Sequence, residues 1–258
     1  DTSQCVFTVW ANTSALPAGT YVMLHEGKGR LRLWGDATVI QEEPGRLEVE
    51  VTPGDADIMA LYILESQAGD HIRNIRFLLP GTESTHLAQP FAQSWLDQLQ
   101  PFTNLRFMDW GRTNNSPLQS WEQRARVDDY TYTAAAGIPY EWWIRICNHK
   151  MADPWICIPH RADSTYIANM AHLFRDSLHE ELTIHIEYTN EYWNWLFDQA
   201  HYVHDSLDQT LPWPERYAPR LAEVMQICTS VFAGQEHRIK RVFATQHAWP
   251  DLGWRVLD

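Results

Sequence analysis

From the amino terminus to about residue 70, apolar and polar positions alternate in short runs. Tyr21 to Glu26, Arg30 to Trp34, Ala37 to Ile40, Arg46 to Thr52 and Ile58 to Glu65 each read as a strand. In the fourth run Leu47, Val49 and Val51 share one face while Arg46, Glu48 and Glu50 share the other, which predicts one packed face and one wet face. Gly27, Gly29, Gly35-Asp36, Pro44-Gly45 and Pro53-Gly54 separate the runs with turn chemistry. The pattern predicts a small antiparallel β module over residues 1–70.

From residue 71 the rhythm changes to strand, loop, helix. Ile72 to Leu79 reads as a strand and Phe91 to Leu99 as a helix; Leu105 to Trp110 is a second strand, with a helix over Tyr140 to His149. Pro154 to Pro159 and Thr183 to Glu191 are the third and fourth strands, with helices over Tyr166 to Leu178, Trp193 to His204 and Arg216 to Phe232. Arg241 to Gln246 is the fifth. Repeated βα units predict a parallel sheet with right-handed crossovers. Leu79-Pro80-Gly81-Thr82-Glu83 is not a dinucleotide fingerprint, which favours a (β/α)8-type (TIM) barrel over a doubly wound sheet. Residues 71–258 are therefore expected to form such a barrel, incomplete at the C-terminus with about five of eight strands present.

Barrels of this kind carry their chemistry at the carboxyl ends of the strands. Asp109, Trp110, Arg112 and Asn114 follow the second strand, and His160 and Arg161 follow the third. Asn190 and Glu191 end the fourth, and His247 and Trp249 follow the fifth. In the fourth strand Ile184 and Ile186 occupy one face while His185, Glu187, Thr189 and Glu191 occupy the other, so the polar face has a carboxylate at its tip.

Composition narrows the chemistry. The 258 residues carry a formal charge of −13, which argues against a phosphate-backbone partner and hence against nucleic acid. There is no run of about 18 apolar residues, so no membrane span is expected. Thirteen tryptophans are an unusual load, and several, including Trp193, Trp195, Trp213 and Trp249, fall in predicted loops or strand ends, where indole faces can stack on the C–H faces of pyranose rings. Four cysteines match no zinc spacing, and Cys147 and Cys157 read as buried thiols. His201 and His204 lie three apart on a predicted helix without a third ligand at diagnostic spacing, so neither metal nor cofactor is expected. Asn12-Thr13-Ser14 and Asn114-Asn115-Ser116 fit the glycosylation acceptor pattern.

Glu187-Tyr188-Thr189-Asn190-Glu191-Tyr192-Trp193-Asn194 resembles the fourth-strand motif of the large clan of retaining (β/α)8 glycoside hydrolases, in which the Glu of an Asn-Glu pair is the acid/base. Leu105 to Trp110 and Asp153 to His160 resemble the second and third strand ends of a less characterised, glycosidase-like and carbohydrate-binding branch of that clan. The resemblance implies that Glu191 protonates the leaving glycosidic oxygen and then deprotonates water, while Asn190 hydrogen-bonds the sugar 2-hydroxyl. It further implies that Asp109, Trp110, Arg112, His160, Trp193, His247 and Trp249 bind substrate or orient Glu191. The implied partner is a polysaccharide or oligosaccharide, the implied location is secreted or cell-surface, and the missing strands leave two alternatives, a fragment of a larger polypeptide or a shortened barrel. A retaining enzyme needs a second carboxylate about 5–5.5 Å from the first; in this clan it ends the seventh strand, which the pattern does not supply. The alternative is a non-catalytic carbohydrate-binding or structural module.

Overall fold

The computed structural model describes residues 6–54 and 56–257; Cys5 lies outside them. The chain divides into two compact units, Asp1–Leu96 and Asp97–Asp258.

Among the described residues the first unit contains seven strands: β1 (Val6–Ala11), β2 (Gly19–Glu26), β3 (Gly29–Gly35), β4 (Ala37–Glu43), β5 (Arg46–Val51), β6 (Ile58–Ser66) and β7 (Arg73–Leu78). Helix α1 (Gln93–Leu99) spans the boundary between the units. All strand pairs are antiparallel, in two sheets ordered β1-β6-β3 and β4-β5-β2-β7. The alternation in β5 has the predicted effect: Leu47, Val49 and Val51 are buried, and they pack with Tyr21 and Met23 of β2 and Met59 and Leu61 of β6 into one core.

The segment expected to open the barrel belongs to this unit. It is β7, paired with β2 so that Met23 opposes Phe77. Phe77 stacks on Tyr21 with ring centroids 4.9 Å apart and lies against Trp10 at 5.6 Å, so its apolar face closes the β core. Alternation along a strand reports which faces are dry and says nothing about partner or direction. The division accordingly falls at Leu96/Asp97 rather than near residue 70.

The second unit runs β8 (Asn104–Arg106), α2 (Tyr140–Lys150), β9 (Asp153–Ile158), α3 (Ser164–Ser177), β10 (Ile184–Tyr188), α4 (Asp198–Ser206), α5 (Tyr217–Val231), β11 (Ile239–Val242) and α6 (Pro250–Leu257). Its four strands form one parallel sheet ordered β11-β10-β9-β8. The expected (β/α)8-type barrel is therefore not present. Among the described residues the parallel strands number four, they form an open sheet with β8 and β11 as edges, and the other two sheets are antiparallel. One face of the parallel sheet, with Ile184, Ile186 and Tyr188, is fully buried, and Tyr188 stacks on Tyr217 of α5. The other face carries Arg106, Trp155, Cys157, His185 and Glu187. Asp163 starts α3 by accepting a hydrogen bond from the Tyr166 backbone N–H at 2.7 Å. No helix among the described residues is long and apolar enough to cross a membrane.

Candidate active site

Every candidate position follows the carboxyl end of a parallel strand: Asp109, Trp110 and Arg112 follow β8, His160 follows β9, Asn190, Glu191 and Trp193 follow β10, and His247 and Trp249 follow β11. In open α/β sheets this is the end where ligands bind.

The best-connected group is built around a carboxylate four residues before Glu191, inside β10. Glu187 is 2% exposed, and its Oε2 accepts hydrogen bonds from Arg106 Nη2 at 2.9 Å, Trp155 Nε1 at 2.8 Å and Cys157 Sγ at 3.2 Å. The Arg106 guanidinium also lies over the Trp155 ring, 5.2 Å from its centroid. Burial, then the Glu187 charge, push the Cys157 thiol up, so it stays protonated and donates. This is a buried charge with its partners in place, the condition under which a carboxylate survives in a sheet interior.

Arg106 connects this pair to Asn190, which is 5% exposed. Asn190 Oδ1 accepts from Arg106 Nη2 at 2.9 Å, and its Nδ2 donates to Asn114 Oδ1, also at 2.9 Å. Gln199 of α4 closes the network by donating to Asn114 Oδ1 at 2.6 Å and to the Asn190 carbonyl at 2.8 Å, while its Oε1 accepts from the Asn115 backbone N–H at 3.1 Å. The loops after β8 and β10 are thus cross-tied by carboxamides, and both polar ends of the Asn190 side chain are engaged. Asn114, which begins one glycosylation pattern, is part of this tie, and Ser116 of the same pattern is buried.

Glu191 is half-buried and sits at φ 40°, in the left-handed region that side chains avoid. Its Oε2 accepts from Asn194 Nδ2 at 2.7 Å, and its carbonyl accepts from the Asn194 N–H at 2.9 Å. Asn194 Oδ1 in turn accepts from the Leu196 N–H at 3.1 Å. The turn therefore holds the carboxylate by one face. Behind it, Tyr192 is fully buried and lies flat on Tyr217 at 3.7 Å, with Trp193 edge-on to Tyr192 at 5.1 Å.

The remaining candidates are placed as follows. Asp109 is exposed and its carbonyl accepts from the N–H of Arg112, itself exposed with φ 45°. Trp110 packs on Phe107 at 5.4 Å, and its carbonyl accepts from Ile138; a Cβ on the neighbouring Gly137, at φ 72°, would strike that carbonyl. His160 is 0% exposed, with Nε2 accepting from Arg161 Nε at 3.3 Å, Nδ1 without a partner and Tyr202 edge-on at 5.3 Å. Burial, and next the Arg161 charge, lower its pKa to about 4, so the ring is neutral. His247 is exposed and Trp249 packs on Trp213 at 5.6 Å. Among the described residues, no hydrogen bond or ion pair joins Asp109, Arg112, His160 or His247 to Asn190 or Glu191.

Sequence reasoning singled out neither Arg106 nor Gln199 as site residues. Arg106 could have been found, because the alternation that puts Glu187 on the face opposite Ile184 and Ile186 asks for a cation on a neighbouring strand. Gln199 has no local signal. No family model, curated protein or solved structure matches this chain.

Proposed function

We propose that the second unit handles β-linked glycans, with Glu191 as the group that meets the glycosidic oxygen. One observation carries the reading. A carboxylate is held at φ 40° at the carboxyl end of β10, gripped by Asn194 and flanked by an asparagine whose carboxamide is fixed by Arg106 and Asn114. Backbone strain of this kind costs about 1–3 kcal/mol and persists where the surrounding structure enforces it, characteristically at functional sites. Glycosidase chemistry needs a positioned carboxyl group rather than one particular fold, so loss of the barrel does not remove the argument. Glu191 would donate its proton to the leaving oxygen and take one from the incoming water.

A second reading, glycan binding without turnover, is favoured by the state of Glu187. That carboxylate lies on the same strand, but Arg106, Trp155 and Cys157 already occupy its Oε2, so it serves as an anchor rather than as a nucleophile. The two readings separate in one experiment. Hydrolysis of glucans, xylans and mannans is measured for the wild type and Glu191→Gln, with binding of the matching oligosaccharides followed by calorimetry. Turnover abolished by the substitution supports acid/base catalysis. Turnover that survives undiminished refutes the role of Glu191, and binding without turnover selects the second reading.

A further inference from the structure

Four residues beyond Glu191 the chain enters a cluster of indoles gathered from three different loops. Trp195 comes from the loop after β10, Trp213 from the loop between α4 and α5, and Trp249 from the loop after β11. The Trp195 and Trp213 rings lie 5.4 Å apart and tilted by 41°, and the Trp213 and Trp249 rings lie 5.6 Å apart and tilted by 44°. His201 and His204 of α4 pack edge-on against Trp195, each at 5.3 Å. Despite these neighbours Trp195 remains 46% exposed, and Trp213 and Trp249 are half-buried.

The main chain under each ring is pinned. The Trp195 carbonyl is 3.1 Å from His201 Nε2, the Trp213 carbonyl accepts from Arg255 Nη2 at 2.8 Å, and the Trp249 N–H donates to the Gln246 carbonyl at 3.0 Å. Indoles that only fill a core are covered; these are held on fixed backbone and keep part of their surface in solvent, Trp195 most of all, the arrangement that lowers the ordering cost of binding. The cluster is also continuous with the candidate acid, since Asn194 grips Glu191 Oε2 on one side and the Leu196 N–H on the other, with Trp195 between them.

From this geometry we infer that Trp195, Trp213 and Trp249 form a stacking platform for a neutral polysaccharide chain passing Glu191. The inference rests on the glycan reading above and adds the substrate class. Pyranose rings offer flat C–H faces to indoles. The guanidinium groups beside the platform are spent on the protein itself: Arg255 on the Trp213 carbonyl and Glu215, and Arg216 on the carbonyls of Leu211 and His204. With a formal charge of −13 over the chain, a uronate or sulfated glycan meets net repulsion, and among the described residues the hydrogen-bonding positions of Arg216 and Arg255 are already directed at the protein's own groups.

The test is calorimetry and affinity electrophoresis of the full chain with soluble neutral glucan, xylan and mannan and with polygalacturonate. The wild type, Trp195→Ala, Trp195→Tyr, Trp249→Ala and Glu191→Gln are compared, with thermal melting of each as the folding control. Binding of a neutral polysaccharide should weaken about tenfold in Trp195→Ala, equivalent to about 1.4 kcal/mol, and stay near the wild-type value in Trp195→Tyr, which keeps an aromatic face. Polygalacturonate should not bind. Unchanged binding in both alanine variants, or equal affinity for polygalacturonate, overturns the platform. Binding that depends on Trp195 together with turnover indifferent to Glu191→Gln upholds the platform and refutes only the role of Glu191. A wild type that binds no glycan in the panel overturns both.

Discussion

Acidification should loosen the second unit through His160. The imidazole is fully buried at the end of β9, faces the ring of Tyr202 and the guanidinium of Arg161, and feels the Asp198 charge as a weaker opposing influence. Its pKa falls from about 6.5 to about 4 because burial, and then Arg161, disfavour the charged ring. A histidine with a lowered folded-state pKa binds its proton more readily in the unfolded chain, so protons favour unfolding. The stability is whole above about pH 6.5 and is lost progressively as pH falls toward 4. The drop between those two values, at about 1.4 kcal/mol for each pH unit, is worth about 3 kcal/mol, a large share of a typical domain's stability. Urea unfolding at a series of pH values should show this loss in the wild type. His160→Gln keeps an acceptor for Arg161 and removes the titration, so its pH slope between 6.5 and 4 should be flatter by about that amount. His185 contributes a remaining slope of the same sign, its pKa lowered by burial and then by Lys240. Carboxylates held low by arginines, such as Glu83 and Glu223, act at more acid pH. An NMR titration of His160 with a midpoint near 6.5, or parallel pH curves for wild type and variant, would refute the reasoning.

Two further substitutions probe the site's frame. Arg106→Met removes the cation from buried Glu187 and a donor from Asn190; fully buried pairs lose about 3–5 kcal/mol when broken, and because Arg106 is 36% exposed the expected loss is about 2 kcal/mol in urea unfolding. Glu191→Gly should be more stable than Glu191→Ala by about 1 kcal/mol, because both lose the Asn194 contact and only glycine relieves φ 40°; equal midpoints would show that the backbone there is unstrained.

How much was legible in the sequence depended on whether the information was local. The alternation of Arg46 to Val51 fixed a packed and a wet face without knowledge of any partner, whereas in Ile184 to Tyr188 it separated an apolar from a polar face and did not show that Glu187 on the polar face is also buried. Segment 73–78 carried an equally good alternation, yet its partner β2 lies some fifty residues earlier in the chain, and nothing in its own pattern distinguishes that pairing from a barrel strand. Leu105 to Trp110 read as one strand because four of its six residues are apolar and no Gly or Pro interrupts them. Only Asn104–Arg106 is paired in the sheet, since Gly111 bonds back to Phe107 and folds the rest into turns. At the site, the acidic tip at Asn190-Glu191 was visible as a motif on a strand end. The carboxamide network through Asn114 and Gln199 was not, because it joins positions more than seventy residues apart that share no periodicity.

The three described cysteines, Cys147, Cys157 and Cys228, all lie in the second unit, fully or almost fully buried as free thiols. Burial raises the pKa of each, that of Cys228 to about 12, so in the folded protein they are poor nucleophiles towards alkylating reagents. With Cys5 replaced by serine, thiol labelling becomes a clock for openings of the second unit alone, blind to the β unit that precedes it. Cys157, which donates to Glu187, times the release of the Arg106–Glu187 pair, while Cys228 on α5 times the departure of the helical layer.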